Sequence, residues 1–101
     1  MPSNLKQDAQ QLLANVPPEY VFWLPDGRTL ANMSELLEAL RTMPDEMYAY
    51  HVNHEKNDFT NWVKDIIKDE RLANDLRKAT SKRQAATRVT ERINTLKRSL
   101  S

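Results

Sequence analysis

The chain has a single glycine among its 101 residues, so only one position accepts a left-handed turn without steric cost. This glycine closes the run Pro25-Asp26-Gly27, in which proline presets φ and aspartate hydrogen-bonds the local backbone. Residues 20–24 before the turn are aromatic and β-branched, and residues 28–30 after it are a candidate returning strand. The sequence therefore predicts one small β-hairpin near residues 20–31.

Outside the hairpin, apolar residues recur at helical spacing. Capping residues and a proline divide this pattern into segments. The predicted helices are an N-terminal helix within residues 1–16, a helix over 35–43 capped by Ser34, one restarting after Pro44, one beginning at Asn57 or Asp58, one capped by Asp69, and a last helix beginning at Ser81. We expect a mainly α (α+β) single domain, 1–101, with about five to six helices.

Composition excludes several classes of protein. The chain has no cysteine, which rules out disulfides, thiolate metal sites and cysteine nucleophiles. Its first residues lack the pattern of a signal peptide, and no apolar run approaches the roughly 18 residues that span a bilayer. The sequence predicts a cytoplasmic protein with no membrane partner, and it gives no reason to expect a cofactor.

Charge is distributed unevenly along the chain. Residues 1–62 carry four bases and nine acids, whereas residues 63–101 carry eleven bases and five acids. The last predicted helix, 81–99, is therefore basic, and a basic helix can bind nucleic acid or an acidic partner. The candidate contacts are Lys82, Arg83, Arg88 and Arg92. The alternatives are that its apolar stripe docks on the domain or pairs with a second copy.

The segment HVNHEKNDFTNW, residues 51–62, combines many hydrogen-bonding side chains with two aromatic ones. Its polar groups must be solvated, cap a helix or meet a partner. Asn and Asp commonly serve as helix caps, and Phe59 is expected to anchor the core with Trp62, whose indole N–H needs an acceptor. If the segment binds a ligand or partner instead, the candidates are His51, Asn53, Lys56, Asn57, Asp58 and Trp62.

A metal site is a third interpretation of this segment. His51, His54 and Asp58 lie at positions i, i+3 and i+7, which would share one face of an unbroken helix. An Asn57-Asp58 helix boundary would separate them. His51, paired with Asp58 or Glu55, is also the one candidate for a general base. The sequence has no nucleophile elbow and no phosphate-binding glycine loop. An enzyme is therefore not the favoured interpretation.

The text from VFWLPDGRTLANMSELLEAL to YHVNHEKNDFTNWVKDIIKDERLA carries a joint pattern: a DGR turn, an N-x-x-E-L helix start and H-V-N-x-x-K-N-D-F-x-x-W. In this pattern the chain resembles a small-domain family of archaea and bacteria whose function is unknown. The matched text spans residues 21–76 and lies within a core of residues 20–78. The resemblance implies a shared fold and no particular activity.

These observations favour a non-enzymatic protein-interaction or adaptor module, with another protein as its partner. The alternatives are nucleic-acid or acidic-partner binding through the basic helix, and metal or small-ligand binding at His51, His54 and Asp58.

Overall fold

A computed structural model of the protein describes residues 5–100 and confirms a mainly α domain with one small hairpin. The first four residues of the predicted N-terminal helix lie outside this range. The described helices are α1 (Leu5–Leu13), α2 (Met33–Thr42), α3 (Asp45–His51), α4 (Asp58–Trp62), α5 (Glu70–Lys78) and α6 (Lys82–Leu100). The strands are β1 (Phe22–Trp23) and β2 (Thr29–Leu30).

The hairpin forms around the only glycine, as the sequence predicts. The strands pair antiparallel, with Phe22 opposite Leu30, and Gly27 takes a φ of 93°. Asp26 Oδ1 accepts a hydrogen bond of 3.0 Å from the Arg28 backbone N–H, which fixes the turn. The first strand is shorter than predicted, because Pro18–Tyr20 forms a 3-10 turn before it.

The N-cap of α2 is Asn32, so the prediction of Ser34 is wrong. Asn32 Oδ1 accepts from the Glu35 backbone N–H at 2.8 Å. The Glu35 carboxylate reaches back to accept from the Ala31 N–H at 2.7 Å, in an arrangement close to a capping box. These two bonds satisfy backbone N–H donors at the start of α2. The observed cap therefore lies two residues before the predicted one.

The last helix, α6, docks on the rest of the domain. Its buried residues Ala85, Val89, Ile93 and Leu96 form one apolar stripe, and α6 packs against α1, α2 and α5. Two basic side chains of α6 also bond to the rest of the domain. Lys82 Nζ donates to the Met43 carbonyl at 2.6 Å, and Arg92 Nε donates to Asp69 Oδ2 at 2.7 Å. Of the alternatives for this helix, docking on the domain is the one observed.

The helix predicted to begin at Asn57 or Asp58 changes its hydrogen bonding part-way. After α4 the chain continues as a π-helical turn, Val63–Ile67, which ends at Lys68 in the left-handed region, with φ 72°. The Lys68 N–H donates to the Val63 carbonyl at 2.7 Å and closes the turn. Among residues 5–100, no helix has the length and apolar character needed to cross a membrane.

Candidate functional site

The polar segment after α3 turns back on itself. Val52 and Asn57 form an antiparallel bridge, and the Asn53 N–H donates to the Lys56 carbonyl at 2.9 Å. The Asn53 side-chain oxygen accepts from the Glu55 N–H at 3.0 Å. Because α3 ends at His51, the three proposed metal ligands do not lie on one helix face.

Asn57 has a structural role at the end of this reversal. Its Oδ1 accepts from the Thr60 N–H at 3.0 Å, which caps α4, and its Nδ2 donates to the Leu76 carbonyl at 3.4 Å. The expectation that Asn57 caps a helix is confirmed. Both polar groups of this side chain are used within the fold.

The reversal brings His51, Lys56 and Asp58 together. His51 Nδ1 lies 2.9 Å from Asp58 Oδ2, and the same oxygen accepts from Lys56 Nζ at 2.9 Å. His51 is 5% exposed, and its Nε2 is buried with no hydrogen-bond partner among the described residues. In a neutral imidazole the contact to Asp58 places the proton on Nδ1 and leaves Nε2 as an acceptor.

Ionisation of this cluster is set by its hydrogen bonds. Burial raises the pKa of Asp58, but hydrogen bonds from Lys56 and His51 offset this effect, and the pKa lies below its ordinary value. The hydrogen bond to Asp58 raises the pKa of Lys56. Asp58 therefore stays a carboxylate, and Lys56 an ammonium, over a wider pH range than either group alone.

An aromatic cluster of Phe22, Phe59 and Trp62 packs next to the His51 ring. The Phe22 ring lies 5.1 Å from the rings of both His51 and Phe59 and 5.8 Å from that of Trp62. Trp62 Nε1 donates to the Tyr20 carbonyl at 2.8 Å, which confirms that the indole finds an acceptor. Phe59 and Trp62 are buried, so their predicted core role is also confirmed.

A surface groove of about 950 Å³ lies between the hairpin and α3. We call it the hairpin–α3 groove. It is lined by residues 21–25, by Glu46, Met47, Tyr50 and His51 of α3, and by Lys56, Asp58 and Trp62. Two of these are large aromatics turned toward solvent, Trp23 at 68% exposure and Tyr50 at 62%. Lys56 Nζ stands 4.6 Å from the centre of the Tyr50 ring.

Four of the six predicted binding residues line this groove: His51, Lys56, Asp58 and Trp62. Asn53 and Asn57 do not line it; they face a different surface, with His54. Within residues 5–100 no three His, Asp or Glu side chains are placed to hold a metal ion. His51 and Asp58 do contact each other, but the second nitrogen of the His51 ring faces no solvent.

The four cations predicted to bind nucleic acid are partly used by the fold. Lys82 contacts Met43 and lies 3.3 Å from Asp45, and Arg92 pairs with the buried Asp69. Arg88 forms an exposed ion pair with Glu91 at 3.3 Å. Arg83 is exposed and has no ion pair with a described residue. The four side chains therefore do not form one free basic surface.

Sequence reasoning missed Trp23, Glu46 and Tyr50 as members of the site. The adjacent residues Phe22 and Trp23 point to opposite faces of β1, so one faces the cluster while the other faces solvent. This alternation was visible in the sequence, but the position of the hairpin beside α3 depends on tertiary packing.

Comparison with known proteins adds no relative: no family model, curated protein or solved structure matches the chain. The family resemblance stays an expectation from the sequence.

Proposed function

We propose that this protein is a non-enzymatic interaction module that binds a segment of a partner protein in the hairpin–α3 groove. The observation that carries the proposal is the pair of exposed aromatics in one groove, Trp23 from the hairpin and Tyr50 from α3. Large exposed aromatic side chains are the residues that most often supply binding energy at protein interfaces.

The surroundings of this pair suit a preformed docking site. The floor is held by the packing of Phe22 on Phe59 and Trp62 and by the hydrogen bond from Trp62 to Tyr20. A rigid floor lowers the entropy that binding would otherwise cost. Met47 adds apolar surface to the α3 side of the groove. An apolar side chain of a partner would be desolvated here against exposed aromatic surface.

Catalysis has less support at the same place. His51 and Asp58 form the hydrogen-bonded pair that a general base needs, yet Nε2 is buried beyond the reach of a substrate proton. Nucleic-acid binding by α6 is weakened because Lys82 and Arg92 hold the helix on the domain. That alternative predicts affinity for duplex DNA that falls steeply with salt and is lost on neutralising Arg83 and Arg88.

The proposal is tested by selecting peptides that bind the intact chain from a random 12-residue display library. We expect apolar consensus peptides whose binding falls at least about tenfold in Trp23→Ala. Tyr20→Ala is the matched control, because Tyr20 is also an exposed aromatic, at 53%, but does not line the groove. Peptides that bind both variants equally, or no enrichment at all, would contradict the proposal.

A further inference from the structure

The hairpin–α3 groove already binds one cation of the chain itself. Lys56 Nζ lies 4.6 Å from the centre of the Tyr50 ring and 2.9 Å from the Asp58 carboxylate. An aromatic face together with a carboxylate is the combination that attracts ammonium and guanidinium groups, through the ring quadrupole and a charge-assisted hydrogen bond. The groove thus has the chemistry of a cation site on one side of Tyr50.

The same two components occur again in the groove without a cation. Glu46 precedes Tyr50 by four residues on α3, so the two side chains share one face of that helix. Glu46 forms no ion pair with any described residue, and Trp23 on the hairpin wall exposes most of its indole. The other nearby carboxylates are engaged: Asp45 with Lys82, and Asp26 with Arg28.

We propose that the partner segment presents an arginine to this second position. The guanidinium would pair with Glu46 and stack on Trp23, while its aliphatic stem lies along Met47. Arginine suits the position better than lysine, because a planar and weakly hydrated guanidinium both stacks on aromatic faces and binds carboxylates in a fork. This inference rests on the proposed function and names the chemistry of the partner: a basic segment with apolar neighbours.

The charge of the chain favours the same class of partner. The acidic and basic residues that line the groove are Glu46, Asp58 and Lys56, so carboxylates outnumber cations there by two to one. A net negative region steers a basic partner toward it and disfavours an acidic one. The occupant we assign is a separate protein. The basic α6 of a second copy is the competing occupant, and the experiment distinguishes the two.

The test is an NMR titration of the full ¹⁵N-labelled chain at about 20 mM salt, where screening is weak. The probes are acetyl-Ala-Leu-Arg-Leu-Ala-amide and the same peptide with neutral citrulline in place of arginine. We expect shifts of the Trp23 indole N–H and of the Glu46 and Tyr50 amides. The arginine peptide should bind about fivefold more tightly than the citrulline peptide.

Two matched variants test whether Glu46 is the source of the preference for the arginine peptide. Glu46→Gln should reduce the ratio of the two affinities to nearly one, whereas Glu38→Gln, an exposed carboxylate on α2 outside the groove, should keep it. Equal affinities in the unchanged chain would overturn the arginine assignment while leaving the docking groove intact. Absence of shifts with both peptides would also overturn the arginine assignment. The display selection tests the proposed function separately. If the same signals shift on raising the protein concentration alone, with dimers in sedimentation, the assignment to a separate partner is overturned.

Discussion

Arg92 Nε lies 2.7 Å from Asp69 Oδ2, and this pair joins the middle of α6 to the start of α5. The Asp69 side chain is only 1% exposed, and its other oxygen caps α5 by accepting from the Leu72 N–H at 3.0 Å. One carboxylate therefore serves two elements of the fold. Arg92, which the sequence placed among the candidate nucleic-acid contacts, is the half-buried structural partner of a buried carboxylate.

Replacing Arg92 should destabilise the protein strongly. Arg92→Met leaves the Asp69 charge buried without its partner, and we expect the free energy of unfolding to fall by about 3 kcal/mol. Urea unfolding followed by circular dichroism measures this loss. Arg88→Met is the matched control, because its pair with Glu91 is exposed and contributes roughly 0–1 kcal/mol. A similar loss in both variants would contradict the role of the buried pair.

Acid should weaken the cluster around Asp58. Because the folded-state pKa of Asp58 is lowered below its ordinary value of 3.8, its contribution to stability is fully present above that pH and is lost as pH falls through the folded pKa. The unfolding free energy of the native chain should therefore decrease more steeply below about pH 4 than that of Asp58→Asn. Denaturant unfolding at a series of pH values tests this expectation. Parallel profiles for the two proteins would show that Asp58 is not coupled to folding.

Asn57 should matter for stability, because both polar groups of its side chain are used within the fold. Asn57→Ala removes the cap of α4 and the contact to Leu76, so we expect a loss of about 1–2 kcal/mol in thermal or urea unfolding. Asn61→Ala is a suitable comparison, since Asn61 is exposed and its side chain bonds to no described residue. That variant should stay within about 0.5 kcal/mol of the native chain. A fully stable Asn57→Ala would restore the interpretation of this residue as a binding group.

The two tryptophans should report on the groove separately. Trp23 is 68% exposed and Trp62 is 7% exposed, so acrylamide should quench them very differently. Trp62→Phe, which leaves only Trp23, should show a quenching constant several-fold larger than Trp23→Phe. Equal constants would mean that the hairpin does not lie on the aromatic cluster as described. A groove-binding peptide should lower the quenching of Trp23.

Much of this fold follows from local patterns in the sequence. The Gly27 turn, the restart of the helix after Pro44, and the Asn57 and Asp69 caps each depend on a few adjacent residues, and each is observed. Asn32 was missed although Glu35 follows it at capping-box spacing, because Ser34 offered a competing cap. The π-helical turn after Trp62 keeps the apolar residues at nearly helical spacing, so periodicity alone did not reveal it.

The site was harder to predict because it depends on contacts between distant elements. His51 contacts Asp58 because the chain reverses its direction between them. The metal interpretation had assumed that the two residues share one helix face. The groove needs the hairpin to lie beside α3, and Phe22 makes that contact across a large sequence separation. Exposure of Trp23 and Tyr50 is set by this packing, which no local pattern encodes.

The packing of α6 against both α1 and α2 also bears on how the chain is made. In the order of synthesis α1 precedes α6, so the apolar side of α1 lacks this cover until α6 has emerged. A nascent chain halted before residue 82 would expose the surfaces that α6 buries, including the neighbours of Val89. Such a fragment would be a substrate for chaperones and proteases, so a stable domain depends on completing α6.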